Sequence, residues 1–270
     1  MGLGDFLGNY YGGLKPVPRL EVNESGIMFF TQGQTLERFD SLQEAMKKHP
    51  DFSGNVNFES PLKETLTGTL EIGRDMLFNL NGYSMTLESQ ENAILSVENG
   101  AAVRFEDGDV NLRNVQLNID GNAVLENARI GSNRDFAVAG NLTVGKGAEV
   151  VFDQKDAFGI NVHGSLFVER TSVIESNGSC IRARQGSSVT LDGGKVCGDT
   201  GIIVANDGSV NSLKIPVGSD VVVMGRGFGR FDPRSSTNDP RHLGNALAVV
   251  SESTELSVVV DVYAGRFVSL

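Results

Sequence analysis

Val138-Ala139-Gly140-Asn141-Leu142-Thr143-Val144 is followed by Val162-His163-Gly164-Ser165-Leu166-Phe167-Val168, the same pattern displaced by 24 residues. Each copy is an apolar residue, a glycine, and then apolar side chains alternating with polar ones. Alternation over four or five residues marks a short strand with one face buried. The glycine supplies the positive φ or the close backbone approach that a tight turn demands. An earlier copy is Gly100-Ala101-Ala102-Val103-Arg104-Phe105; later ones are Gly186-Ser187-Ser188-Val189-Thr190-Leu191 and Gly208-Ser209-Val210.

Glycines recur at Gly82, Gly100, Gly121, Gly140, Gly164, Gly186 and Gly208, at intervals of 18, 21, 19, 24, 22 and 22 residues. A unit of about 22 residues holds two or three short strands and no helix-period segment. One unit cannot bury its own apolar face, so units must stack. Stacked units pair their strands in parallel about 4.8 Å apart, and roughly nine turns give a rod about 45 Å long. The spacing therefore predicts an all-β fold, a right-handed parallel β-helix over residues 65–224. Its inward ladder is expected to run through Met85 and Leu87, Val103 and Phe105, Leu142 and Val144, Leu166 and Val168, and Val189 and Leu191. The Gly121 unit fits least well, because Val124 and Leu125 are adjacent rather than alternating.

Composition agrees. The 33 glycines are about one residue in eight, but 7 prolines and no Gly-X-Y period exclude collagen. Tryptophan is absent and aromatics are 7%, so aromatic platforms for sugar stacking are few. The net charge of −11 argues against nucleic acid as a main partner and accords with solubility. Met1-Gly2-Leu3-Gly4-Asp5-Phe6 has no basic segment leading into an apolar one, so no secretory signal is read there. Phe6 also breaks the myristoylation pattern. No apolar run nears the roughly 18 residues of a membrane span, and no membrane partner is expected. Cys180 and Cys197 form no CxxC or Cys/His cluster; two buried thiols or a single bridge are both open.

Around the coil, residues 1–38 read as an extended docking arm with Tyr10 and Tyr11 as its sticky aromatics. Residues 39–64 read as an opening segment with a helix at 40–49. Ser41 and Glu44 fit a capping box, Leu42, Ala45 and Met46 form the apolar face, and Pro50 stops it. Such a helix would cover the open end of the first turn. Residues 225–246 break the pattern with Arg226, Arg230, Arg234 and Arg241 around Phe228 and Phe231. This basic loop would bind an acidic surface or anionic glycan, or pair with acidic neighbours on the rod. Residues 247–270 read as terminal strands closing the coil.

Phe39-Asp40-Ser41-Leu42-Gln43-Glu44-Ala45-Met46, with the alternation from Leu66 to Ile72, resembles the opening of pectate-lyase-like β-helices, which phage tailspikes share. Asn79-Leu80-Asn81-Gly82-Tyr83-Ser84-Met85-Thr86-Leu87 resembles the coil that often comes next. Ser188-Val189-Thr190-Leu191-Asp192-Gly193-Gly194 resembles rungs of that family ending in a glycine pair. The resemblance spans about residues 39–224 and implies the fold far more than an activity.

Enzymes of this fold use paired or triple carboxylates for Ca²⁺ or for acid and base work. Asp107 and Asp109, within Glu106-Asp107-Gly108-Asp109, are the best local pair, with a solvated turn as the plainer reading. Asp153 and Asp156 flank a similar turn. His163 reads as an exposed turn residue, and no histidine has an evident nucleophile beside it. No catalytic residue and no cofactor are expected. The lack of a signal, the Gly-rich arm and the rod look most like a bacteriophage virion protein. The expected role is therefore a non-enzymatic decoration, fibre or spike shaft, partnered by other virion proteins and by itself as a homotrimer. A tailspike-like β-helix that binds or cleaves a surface glycan, and an intracellular scaffold, are the alternatives.

Overall fold

The computed structural model describes residues 27–30, 36–155, 157–227, 244–251 and 258–269. The chain winds as a parallel β-solenoid with three faces, each turn contributing one short strand to each. In the first turn these are Gly54–Phe58 on face 1, Leu62–Thr65 on face 2 and Thr69–Ile72 on face 3. On face 1 the pairing passes from Val56 to Phe78, Phe105, Leu125, Val144, Val168 and Leu191. Val189 then pairs with Leu213, and Leu213 with Val260. The seven steps up to Leu213 cover 19 to 27 residues each, and the eighth covers 47. That longest step takes in residues 225–246, so the break in the repeat adds its length to one turn.

Stacking puts like on like. Face 2 carries a column of Leu62, Met85, Val110, Ile130, Val150, Ile174, Val196 and Val223. Face 3 carries Leu70, Leu95, Leu117, Phe136, Ile160, Ile181 and Ile202. All but Leu62 and Leu70 are essentially inaccessible to solvent, and those two are themselves buried. Larger rings fill where turns leave room: Phe78 stacks on Phe105 with centroids 5.0 Å apart, and Phe136 meets Phe152 edge-on at 4.8 Å. Each such side chain contributes about 1.5–3 kcal/mol by burial. The exposed ion pairs on the outside, such as Arg104 with Glu126, contribute about 0–1 kcal/mol each. The columns therefore hold the rod.

The corner from face 3 to face 1 explains the recurrent glycine. A Cβ on Gly140 would stand 2.0 Å from the carbonyl oxygen of Gly121, and one on Gly164 2.1 Å from that of Gly140. The backbone of each turn there rests directly on the backbone below, and Asn141 and Ser165 donate N–H bonds to those same carbonyls. At Gly186 the corner changes: the glycine has φ +85°, and the gap above is filled by Asn211. The Asn211 side chain, fully buried, accepts from the N–H groups of Gly186 and Ser187 and donates to the Ala205 carbonyl.

Several expectations change. Gly82 belongs to a different corner, between faces 1 and 2, so Met85 stacks between Leu62 and Val110, and Leu87 between Glu64 and Leu112, rather than on Val103 and Phe105. Met76 and Phe78 hold the face 1 position instead. The Gly121 unit alternates after all, with Ala123 and Leu125 inward and Val124 outward. Val210 is not an inward residue: it is 65% exposed, and Leu213 and Ile215 point inward in that turn.

At the N-terminal end, helix α1 (Leu42–Lys48) forms with Ser41 as N-cap, accepting from the Glu44 N–H, and buries Leu42, Ala45 and Met46. The reciprocal half of the cap comes from elsewhere. Glu64, at an inward position of the first face 2 strand, accepts from Ser41 Oγ at 2.6 Å and from the N–H groups of Leu42 and Gln43 at 2.7 and 3.1 Å. A carboxylate there satisfies orphan helix amides and lies at the positive end of the helix. Within the span 1–38 expected to be an arm, residues 27–30 and 36–38 lie in strands. Strand β1 (Ile27–Phe30) pairs antiparallel with both β2 (Leu36–Phe39) and β3 (Gly54–Phe58), extending face 1 beyond the first turn. Tyr10 and Tyr11 lie outside the described residues. At the other end the strands Leu247–Ser251, Val258–Val262 and Arg266–Ser269 continue the coil. Val260, Val262 and Phe267 stand over Leu213, Ile215 and Val223 yet are 37%, 41% and 37% exposed.

The stacked corner makes a direct prediction. Gly140→Ala and Gly164→Ala should each cost about 1–3 kcal/mol in chemical denaturation, as backbone overpacking does. Gly131→Ala, whose Cβ would meet nothing closer than 3.4 Å, should be nearly neutral.

Candidate functional site

Outward side chains of adjacent turns stand in columns about 4.8 Å apart, and two columns open into grooves. The first lies at the corner from face 1 to face 2. Phe167 projects outward at 37% exposure, in register between Thr143 and Thr190. Glu169 and Asp192 follow the paired Val168 and Leu191, each anchored by its N–H to the turn beneath, at Val144 and Val168. The two acidic residues thus occupy equivalent positions on adjacent turns. Lys146, Arg170 and Thr171 complete a shallow groove of about 500 Å³. Arg170 Nε lies 3.7 Å from Asp192 Oδ2, and Ser219 Oγ donates to Asp192 Oδ1 at 3.4 Å. Thr171 holds a left-handed φ of +66°, and its hydroxyl accepts from the Gly147 N–H. A Cβ at Gly193 would sit 2.7 Å from the Cα of Arg170, which is why the rung ends in glycine.

The second groove, about 310 Å³, lies on face 3 among Gln116, Arg134, Asp135, Ala137, Gln154 and Asn161. Asp135 directly precedes the strand Phe136–Val138 and accepts from the Phe158 N–H at 2.9 Å and from Asn161 Nδ2 at 3.3 Å. Burial pushes its carboxyl above the usual aspartate range, against the pull of those bonds and of Arg134. Phe158 is held in turn by Arg182, whose guanidinium sits 4.4 Å from the ring centroid.

The residues singled out in the sequence fall elsewhere. Asp107 and Asp109 are exposed, and Asp107 is a corner residue with φ +55° whose carbonyl accepts from Gly82. Among the described residues no three His, Cys, Asp or Glu side chains converge as metal ligands. Asp153 is exposed at the rim of a hollow on face 2 with Asn111, Arg129 and Asn133; Asp156 lies outside the described residues. His163 is half-buried rather than exposed. Its imidazole is pushed toward the neutral form by burial and by Arg184 and Arg182. Arg226 is committed to the rod: its guanidinium donates to the Ser176 carbonyl at 3.2 Å, two turns below. Arg230, Arg234 and Arg241 lie outside the described residues. Cys180 and Cys197 are both free buried thiols, and burial raises the pKa of each.

Glycoside hydrolysis needs two carboxyl groups across one bond, one of them held protonated. Here the two ingredients are on different faces. The stacked pair, Glu169 and Asp192, lines the corner groove, whereas the raised carboxyl, Asp135, is the one acidic residue lining its own groove among the described residues. The corner groove thus presents an aromatic edge flanked by carboxylates and cations. Of these residues only Phe167 and Asp192 lay within quoted repeats. Glu169 was legible too, as the position after Val168 that matches Asp192 after Leu191. Asp135 carried no signal, because its burial depends on a loop from the next turn.

Asp135 should report its surroundings. A carboxyl with a raised folded pKa contributes stability in acid, below the ordinary aspartate value of about 3.9, and loses it as pH rises through the folded value. Its Cγ resonance should titrate above that ordinary value. Asp135→Asn should gain stability relative to the parent as pH rises from acid to neutral, whatever its constant offset; a flat difference would refute the assignment. Comparison of the chain with protein-family models, with characterised proteins and with solved structures finds no match.

Proposed function

We propose that the chain is a non-enzymatic structural shaft of a bacteriophage virion, a decoration, fibre or spike component attached through its N-terminal residues. The observation that carries the reading is the unbroken core. Three apolar columns run through the turns from the first to the last, and the lateral carboxylates are divided between grooves instead of gathered at one centre. A rod of this kind resists bending because each turn is bonded to the next on every face. The resemblance of its opening turns to tailspike-like coils supports the virion setting.

A second reading is favoured by the corner groove: Phe167 with Glu169, Asp192, Lys146 and Arg170 offers an apolar edge and hydrogen-bonding groups to a hydroxylated glycan. On that reading the shaft holds a polysaccharide without cleaving it.

Mass spectrometry of purified phage particles from the source of the sequence should find this chain in fixed copy number. Removal of residues 1–26, which leaves β1 and the cap intact, should abolish its incorporation. Absence from particles, or unchanged incorporation of the shortened chain, would overturn the virion reading. Retention on a polysaccharide matrix that is lost in Phe167→Ala would establish the glycan reading in addition.

A further inference from the structure

The two ends of the coil differ. At the N-terminal end, β1 and β2 extend face 1 and α1 buries its apolar side against the first turn. At the other end, Val249, Val260, Val262 and Phe267 are aligned with the inward columns but are 54%, 37%, 41% and 37% exposed. Among the described residues nothing lies over them. Core side chains and open strand edges together form an adhesive surface.

We propose that this end joins a second copy of the same chain, tail to tail, about a two-fold axis perpendicular to the rod. A head-to-tail stack would need an open N-terminal end, and that end is closed. Turning one coil end over end reverses the direction of every strand, so edges that meet across the joint run antiparallel and can form ladder hydrogen bonds. The face 1 strand Val258–Val262 suits this self-pairing. Val258, Val260 and Val262 occupy the inward positions, in register with Asn211, Leu213 and Ile215. Antiparallel pairing centred on Val260 sets Val260 against its own copy and Val258 against Val262, and keeps all three on the core side. The outward residues are then Val259 opposite Asp261, so the strand's acidic residue does not face itself. That matters for a chain of net charge −11. Three strand edges of about five residues span roughly 15–20 Å each. Such an end is small beside the about 800 Å² per partner of a standard interface, so the dimer should dissociate on dilution.

This inference goes beyond the virion reading and stands or falls separately. Sedimentation of the purified 270-residue chain over a wide concentration range should show a monomer–dimer equilibrium. Val260→Lys, which opposes two ammonium groups at the axis, should leave only monomer, with Val259→Lys as the control because it places a cation opposite Asp261 and should preserve or tighten the dimer. Val260→Cys should form a covalent dimer on mild oxidation, while Cys180 and Cys197 stay buried. A monomer at every concentration, a trimer, or a dimer indifferent to Val260→Lys would overturn the proposal. Absence of the full chain from particles, with an intact dimer in solution, would count against the virion reading alone.

Discussion

Every turn of this protein lies about 4.8 Å above the one before it, and that one distance governs what each position can hold. An inward side chain must fit over its counterpart below, so the columns on the three faces are built from Val, Leu, Ile, Met and Phe, with Ala where a neighbour is large. A corner where backbone rests on backbone has no space for a Cβ, so Gly121, Gly140 and Gly164 recur at one corner. Where the backbone lifts away, as at Gly186, a side chain must replace the lost contact, and Asn211 does so with both its oxygen and its amide nitrogen.

The same constraint sets the surface chemistry. Residues a full turn apart in sequence become contact neighbours, so the outside is a set of columns whose members neutralise or reinforce one another. Arg104 reaches Glu106 on its own turn at 3.1 Å and Glu126 on the next at 2.5 Å. Asn141 donates to Asn122 at 2.7 Å along a neighbouring column. Glu169 and Asp192 are the case in which such stacking makes a groove rather than a neutral patch. Because only adjacent turns are this close, bringing Asp135 on face 3 to that pair would require crossing the core. The fold thus gathers side chains of adjacent turns on one face and keeps those of different faces apart.

The repeat was legible because the period of the glycine corner and the alternation of the strands agree over residues 100–206. It misled where a glycine served another corner, as at Gly82, or where an insertion shifted the strand start, as at Val210. Ala123 was overlooked because alanine is a weak apolar signal, although at 2% exposure it is as buried as its neighbours. Helix α1 was readable from Ser41, its apolar face and Pro50, but its true counter-cap was not. Glu64 looks like an error in an inward position until the helix end folds onto it. Of the candidate site, the column shared by Glu169 and Asp192 could be read by aligning repeats. The raised carboxyl of Asp135 could not, since it follows from burial in the folded coil, against the lowering pull of the hydrogen bonds from Phe158 and Asn161.

The account is tested most directly by a distance along the rod. Arg104 and Lys214 occupy one outward column of face 1, linked through Val124, Thr143, Phe167 and Thr190 by five successive pairings. Spin labels at Arg104→Cys and Lys214→Cys, with Cys180 and Cys197 unlabelled in the interior, should give a single narrow distance centred on about 24 Å, five strand spacings. A broad distribution, or a distance under about 15 Å or above about 40 Å, would contradict the in-register coil and with it the arrangement of both grooves.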